Sequence, residues 1–231
     1  MENKKIKLRQ VKSFVRRNSR VTNGQSTAFE TSWPKFGLSL ENKAIDFEKT
    51  FKRKAKNTLE IGFGSGYSLI EMAKLKPEEN FIGIETYKPG IGVLFQSIEK
   101  EKLTNIRVYY ADAIDIIKAC IPDNSLDAIQ IFFPDPWRKR RHHKRRLIQV
   151  DFINLITNKL INGGELHLAT DWEDYALHMM SVLSSINNLK NLSGDKNYSE
   201  RSSKRPVVTK FEQRGYKSGH KIRELLFCKA Q

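Results

Sequence analysis

From Asn57 onward the chain alternates short apolar runs with helix-length amphipathic segments, and this alternation leaves few folds open. Candidate strands fall at 58–61, 81–85, 106–110, 126–132 and 165–169. Helical spacing predicts helices over 67–74, 91–102, 114–119, 144–160 and 173–185. The best marked, 144–160, sets Leu147, Ile148, Phe152, Leu155 and Ile156 on one face. Strand and helix in turn imply an α/β fold, a mostly parallel sheet with helices on both faces. Ligands of such sheets bind beyond the carboxyl ends of the strands, where the strand order reverses. Farther on, 187–206 is polar and reads as a loop, while 207–211 and 223–228 read as an antiparallel hairpin turned through Gly215 and Gly219. That hairpin brings the expected sheet to seven strands.

The 231 residues suit one such domain with an appendage. Residues 1–50 differ from the rest: Lys and Arg crowd 4–20 with Val11, Phe14 and Val15 between them, and 22–32 is polar. No clean period emerges, so this segment reads as a basic, partly flexible N-terminal arm ahead of a domain spanning 51–231. The whole chain carries 41 Lys and Arg against 26 Asp and Glu, a net +15 that points to a polyanionic partner, nucleic acid first. Aromatic content of 10% argues against wholesale disorder. Two cysteines, Cys120 and Cys228, exclude a disulfide framework and read as reduced core residues. No run reaches the ~18 apolar residues of a membrane helix. The start has no apolar signal segment, so the cytoplasm is the expected compartment.

Leu59-Glu60-Ile61-Gly62-Phe63-Gly64-Ser65-Gly66 closes the first strand and opens the first helix. Glycines at 62, 64 and 66 allow a tight turn and close approach to a ligand. Their G-x-G-x-G spacing departs from the G-x-G-x-x-G of dinucleotide sites, with Tyr67 where that pattern continues. Glu60 would repel a diphosphate and suits an ammonium group instead. S-adenosylmethionine carries one, with a sulfonium and no phosphate. Glu85 ends the second strand, where it would accept from ribose hydroxyls, and Asp112 follows the third, where it would accept from the adenine amine. Each acid alone reads equally as a helix cap or a solvated strand end. Three at successive strand ends mark an S-adenosylmethionine site.

After the fourth strand, Pro134 and Pro136 bracket Asp135 on a stiff turn, and Trp137 offers a stacking face beside it. A carboxylate beside an aromatic ring suits an enzyme that methylates a nucleobase. Residues 138–146 then hold seven Lys or Arg with no acid, a cluster suited to phosphates. His142 and His143 are adjacent and lack ligand spacing, so they are expected to face RNA or solvent, and no metal site is expected.

Pro134-Asp135-Pro136-Trp137 followed by Lys139, Arg141, His142 and Lys144-Arg145-Arg146 resembles the tRNA (guanine-N7)-methyltransferase family. The likeness extends to Thr170-Asp171-Trp172, to Thr209-Lys210-Phe211-Glu212 and to Arg214-Gly215, and it covers residues 28–229. It implies a Rossmann-like class I methyltransferase fold using S-adenosylmethionine. It implies that Glu60, Glu85, Asp112 and Asp135 contact the methyl donor, with Asp135 also catalytic. It places Lys139, Asp171, Thr209, Lys210, Phe211 and Glu212 at the substrate, and Arg141, His142, His143, Lys144, Arg145 and Arg146 against RNA. The implied substrate is tRNA at guanosine 46 of the variable loop. Bacterial members of such a family act without a second subunit, so a monomer or weak homodimer is expected. No specific motif covers the basic arm, and nothing attaches to Arg138. Asp171 also reads as a helix cap, and Thr209 with Glu212 as a cross-strand pair.

Guanine N7 carries an exposed lone pair, so its methylation needs alignment and charge stabilisation rather than prior deprotonation. Asp135 is then expected to accept from the guanine edge or offset its developing charge, with Asp171 and Glu212 on the ring N–H and exocyclic amine. Two other readings compete. An adenine-N6 or other amino-methyltransferase wants Asp/Asn-Pro-Pro-aromatic, and here the second proline after Asp135 is missing. A non-catalytic RNA-binding module would not need the intact 60–66 turn and all three acids.

Overall fold

The apolar runs pair in parallel, as their alternation with helices requires, in a computed structural model that describes residues 21–201, 205, 208, 212–213 and 219–230. The strands are β1 (Gly37–Leu38), β2 (Asn57–Ile61), β3 (Asn80–Glu85), β4 (Ile106–Tyr110), β5 (Leu126–Phe132), β6 (Leu160–Thr170), β7 (Leu189–Asn191) and β8 (Arg223–Lys229). They form one sheet in the order β1-β4-β3-β2-β5-β6-β8-β7, with the short β1 and β7 not among the expected strands and the expected strand at 207–211 largely outside the described residues. Pairing is parallel from β1 to β6, and β8 runs antiparallel to both β6 and β7. Strand order reverses between β2 and β5, which opens a crevice at their carboxyl ends.

Among the described residues, the helices that cover the sheet are α1 (Asn23–Phe36), α2 (Phe47–Phe51), α3 (Tyr67–Leu75), α4 (Lys88–Lys100), α5 (Ala113–Ala119), α6 (Val150–Lys159) and α7 (Glu173–Ser184). One apolar cluster joins Phe36 of α1, Leu69 and Met72 of α3, and Leu94 and Phe95 of α4 to Phe81 and Val108 of the sheet. A larger one joins Ile116 of α5, Phe152 of α6 and Tyr175 and Met179 of α7 to Leu59, Ile129 and Leu168. No described helix is long and apolar enough to cross a membrane.

Four expectations are corrected. Residues 23–36, read as irregular polar chain, are helical, because Thr22 and Gln25 make a reciprocal capping box and Phe29, Trp33 and Phe36 turn inward. The crowded basic stretch 4–20 lies outside the described residues. The helix expected from 144 starts at Val150. Residues Arg140–Arg145 form a 3-10 turn instead, with exposed cations along it. The 187–206 segment contains β7, so the antiparallel partners of β8 are β6 and β7. Residues 207 and 209–211 of the expected hairpin lie outside the described residues. Finally, Cys120 is buried and Cys228 only half-buried, and both are free thiols.

Gly66, which caps α3 at φ 75°, packs so closely that a Cβ would lie 2.5 Å from Leu94 Cδ1. At Gly64 (φ 60°) a Cβ would meet no atom within 4 Å. Gly66→Ala should therefore combine left-handed strain with overpacking and lose about 2–4 kcal/mol in urea unfolding. Gly64→Ala should lose only about 1–2 kcal/mol. Equal losses would contradict this reading of the turn.

Candidate active site

Each acidic residue singled out in the first half of the sheet lies at its carboxyl edge, and each meets a different local environment. Glu85 organises the glycine turn: its Oε2 accepts from Gly64 N–H at 2.8 Å, and its Oε1 accepts from Thr86 N–H at 2.6 Å and Tyr87 N–H at 2.9 Å. Gly62 at φ 75° supports the same turn. Asp112 caps α5, its Oδ1 accepting from Ile114 N–H at 2.9 Å. Glu60 is only 3% exposed, and its Oε2 has no hydrogen-bond partner. Burial first, and then neighbouring Glu85, push Glu60 up to about 8. Gln130 of β5 stands in register with Glu60, is also buried, and its Oε1 is likewise unpartnered.

Two buried acceptors side by side at the switch point have the chemistry to receive an ammonium group. With the glycine turn, Glu85 and Asp112 arranged around them, these residues fit S-adenosylmethionine. Gln130 was not among the residues singled out from sequence, although a polar side chain inside an apolar strand is itself a signal.

Asp135 sits half-buried on the turn after β5. Phe133 N–H donates to Ala169 O at 2.8 Å, which carries the strand pairing one residue past β5. Phe133 (φ 51°) and Trp137 (φ 45°) both take the left-handed region, unusual for bulky side chains, so strain flanks the carboxylate on both sides. Trp137 meets His142 edge-on at 5.8 Å and lies under the Arg145 guanidinium at 4.9 Å. Beyond β6, the Thr170 hydroxyl accepts from Trp172 N–H. The N-cap of α7 is Trp172, which leaves Asp171 unused as a cap. His220 Nδ1 approaches Asp171 Oδ2 to 3.6 Å, its ring edge-on to Trp172 at 6.1 Å, within an open cleft also lined by Arg201 and Lys221. Arg138, to which the sequence attached nothing, lies over Trp172 at 4.4 Å.

The basic segment divides. Lys139, Arg141, Lys144 and Arg145 are exposed, and His142 and His143 are half-buried. Partial burial, and then Arg141, Arg145, Lys139 and Lys144, hold His142 below the usual histidine range. His143 does not simply face outward, because its Nε2 accepts from Arg146 at 3.0 Å. Arg146 itself is buried, which removes it from the surface offered to RNA.

Glu212 departs similarly from its expected place against guanine. It is fully buried, accepting from Arg205 Nη1 at 2.5 Å, Arg205 Nη2 at 2.8 Å and Arg201 Nε at 3.1 Å. Burial would raise its carboxyl, but Arg205 and Arg201 outweigh that and hold it below the usual range. Arg205 also donates to Glu224 Oε1 and lies over Phe132 and Phe133, so the ion pairs tie the C-terminal chain to the start of the Asp135 turn. Nothing in the sequence spacing marked Arg205. Thr209, Lys210 and Phe211 lie outside the described residues. Among the described residues, no group of three or more His, Cys, Asp or Glu is placed to hold a metal ion.

Residues 54–225 match the model of the family described as "Putative methyltransferase". The chain is 51% identical to the tRNA (guanine-N(7)-)-methyltransferase of Idiomarina loihiensis, over 95% of this chain and 89% of the relative. It is 51% identical to the protein of the same name from Escherichia coli K12, over 95% and 92%. Among solved structures it superposes on the 16S rRNA methyltransferase KamB with a TM-score of 0.57 at 12% identity, over 94% of this chain and 97% of that one. TrmN from Thermus thermophilus gives 0.54 at 16% identity, over 89% and 48%. These two likenesses show the class I methyltransferase fold.

An ammonium ligand needs Glu60 ionised, and a carboxyl at about 8 is protonated at neutrality, so binding must release a proton. Affinity for S-adenosylmethionine should therefore rise about tenfold between pH 6 and 7 and about threefold between pH 7 and 8. Above that range the ligand's own amino group, with an ordinary pKa of about 8, loses its charge and the gain stops. Calorimetric titration across this range checks the point, with Glu60→Gln expected to flatten the rise. A flat wild-type profile would remove Glu60 from the ammonium site.

Proposed function

Because the chain belongs to the tRNA (guanine-N7)-methyltransferase family, we propose that it transfers the methyl group of S-adenosylmethionine to N7 of a guanine in tRNA, guanosine 46 of the variable loop. The observation that carries the cofactor half of this reading is the unpartnered, buried Glu60 oxygen above the glycine turn. The tRNA half rests on the near-full-length identity to relatives that bear that name.

When bound, S-adenosylmethionine supplies an electrophilic methyl carbon attached to a sulfonium leaving group. Guanine N7 presents a lone pair in its ordinary neutral form, so no side chain has to remove a proton before transfer. The chain's work is alignment and electrostatics. Glu60 and Gln130 hold the ammonium end, Glu85 the ribose hydroxyls and Asp112 the adenine amine. Asp135, on its strained turn, offsets the positive charge that grows on the purine, or accepts from its edge. Asp171 is the carboxylate left to accept from the guanine N–H groups, because Glu212 is enclosed by Arg205 and Arg201. Lys139 and the exposed Arg141, Lys144 and Arg145 face the phosphates, where each neutralised phosphate makes binding more salt-sensitive.

The test is methyl transfer to unmodified tRNA transcripts, followed by nucleoside digestion and mass analysis. The expected product is 7-methylguanosine, lost when the variable-loop guanosine is replaced. A methylated adenosine would overturn the choice of atom. Asp135→Asn should lower turnover by about 10²-fold or more through lost charge stabilisation. Its pH profile should show no steep limb near neutrality, whereas an essential base titrating there in the wild type would contradict the assigned role.

A further inference from the structure

The run of seven cations in 138–146 reads as one RNA-facing block, yet its last member is built into the protein. Arg146 is 2% exposed. Its Nε donates to Pro136 O at 3.0 Å, and its Nη2 donates to the Asp174 carboxylate and to His143 Nε2 at 3.0 Å. The plane of the guanidinium lies over the Tyr175 ring at 4.8 Å. These partners sit on three different pieces of chain. Pro136 belongs to the turn that carries Asp135, His143 to the 3-10 turn, and Asp174 and Tyr175 to α7. Asp174 is largely solvent-exposed and carries the opposite charge, and the hydrogen bond from Arg146 is the first cause of its lowered carboxyl. A planar fork that donates on several edges while stacking on an aromatic face is a task that arginine performs and lysine does not.

We infer that Arg146 is a positioning residue for methyl transfer: it fixes the Pro136 carbonyl, one residue past Asp135, against α7, and it contacts no RNA phosphate. The inference rests on the reading of Asp135 as the carboxylate at the reacting base. It separates the basic segment into an exposed part that binds RNA and an inward anchor that sets the geometry of the turn. The anchor matters because the residues on either side of Pro134, Asp135 and Pro136 hold left-handed backbone, which persists only where surrounding contacts over-determine it. Losing the anchor would let the carboxylate drift, and a displacement of about 1 Å at a reacting centre costs on the order of 10²-fold in rate.

Lysine at this position is the discriminating change, since it keeps the positive charge and loses the fork. Steady-state methyl transfer and tRNA binding over a range of salt would be measured for Arg146→Lys, Arg146→Gln and Arg141→Ala. Arg146→Lys is expected to lower kcat by about 10–100-fold. Its KM for tRNA and the slope of log affinity against log salt should stay at wild-type values. Arg141→Ala is expected to raise KM for tRNA and reduce the slope by about one. Should Arg146→Lys melt below the assay temperature, Asp174→Asn loosens the same anchor from its exposed side and is expected to lower kcat with an unchanged slope. Wild-type kcat in the lysine variant, or in Asp174→Asn where that is the variant measured, would overturn the inference. So would a slope reduced by about one in Arg146→Gln. The wild-type digest in the same assay separates this from a failure of the functional reading. An unexpected nucleoside there refutes the reading of the reaction, while the salt slopes still decide whether Arg146 touches phosphate.

Discussion

Parallel pairing sends the residues that follow β2, β3, β4, β5 and β6 to one edge of the sheet, and in this chain that edge gathers Glu60, Glu85, Asp112, Asp135 and Asp171. Like charges brought together repel, so the fold has to give each carboxylate its own means of staying there. Glu85 is satisfied by three backbone N–H groups from two loops. Asp112 is satisfied by the first turn of α5. Glu60 takes the opposite course: it is buried with an oxygen unpartnered and gives up its charge near neutrality. The unpartnered Glu60 oxygen, at the point where the strand order reverses, is where a cation gains most.

The positive charge of the chain is divided in the same manner between work and structure. Arg141, Lys144 and Arg145 stay exposed on a 3-10 turn. Arg146 and Arg205 go inward, each bonded to carboxylates and each lying over aromatic rings. A buried cation costs much desolvation and is held only where the surroundings supply acceptor sites and opposite charge together. Net charge read from composition cannot distinguish the two uses. It points correctly toward a polyanionic partner while overstating how much of the charge is available to it.

The sheet was legible because parallel strands buried on both faces read as continuous apolar runs, and 106–110 and 126–132 appear in the structure with the expected limits. The glycine turn and the strand-end acids were legible for the same reason, since strand ends fix where loops begin. What escaped depends on long-range partners. β7 has three residues and exists only through its pairing with β8. The N-terminal extension of β6 passes through Gly163 and Gly164, ahead of the strand start expected at 165. Glu212 and Arg146 carry charges whose patterns suit a ligand as well as they suit an internal partner. Only the positions of Arg205 and Asp174 decide between the two, and those lie 7 and 28 residues away in sequence.

The turn bearing Asp135 shows how these separate features act together. Its two prolines remove two backbone donors from a turn whose Phe133 and Trp137 stand in the left-handed region. Support comes from outside it at both ends. Arg205 lies over Phe132 and Phe133 where the turn leaves β5, and Arg146 binds the Pro136 carbonyl where the turn runs into the basic segment. Each arginine is in turn held by carboxylates from distant parts of the chain, Glu212 and Glu224 on one side and Asp174 on the other. Methylation of a purine nitrogen that already presents its lone pair asks for a charge held still rather than for a titrating base. A short, strained turn bound at its two ends by buried cations is suited to that demand for rigidity.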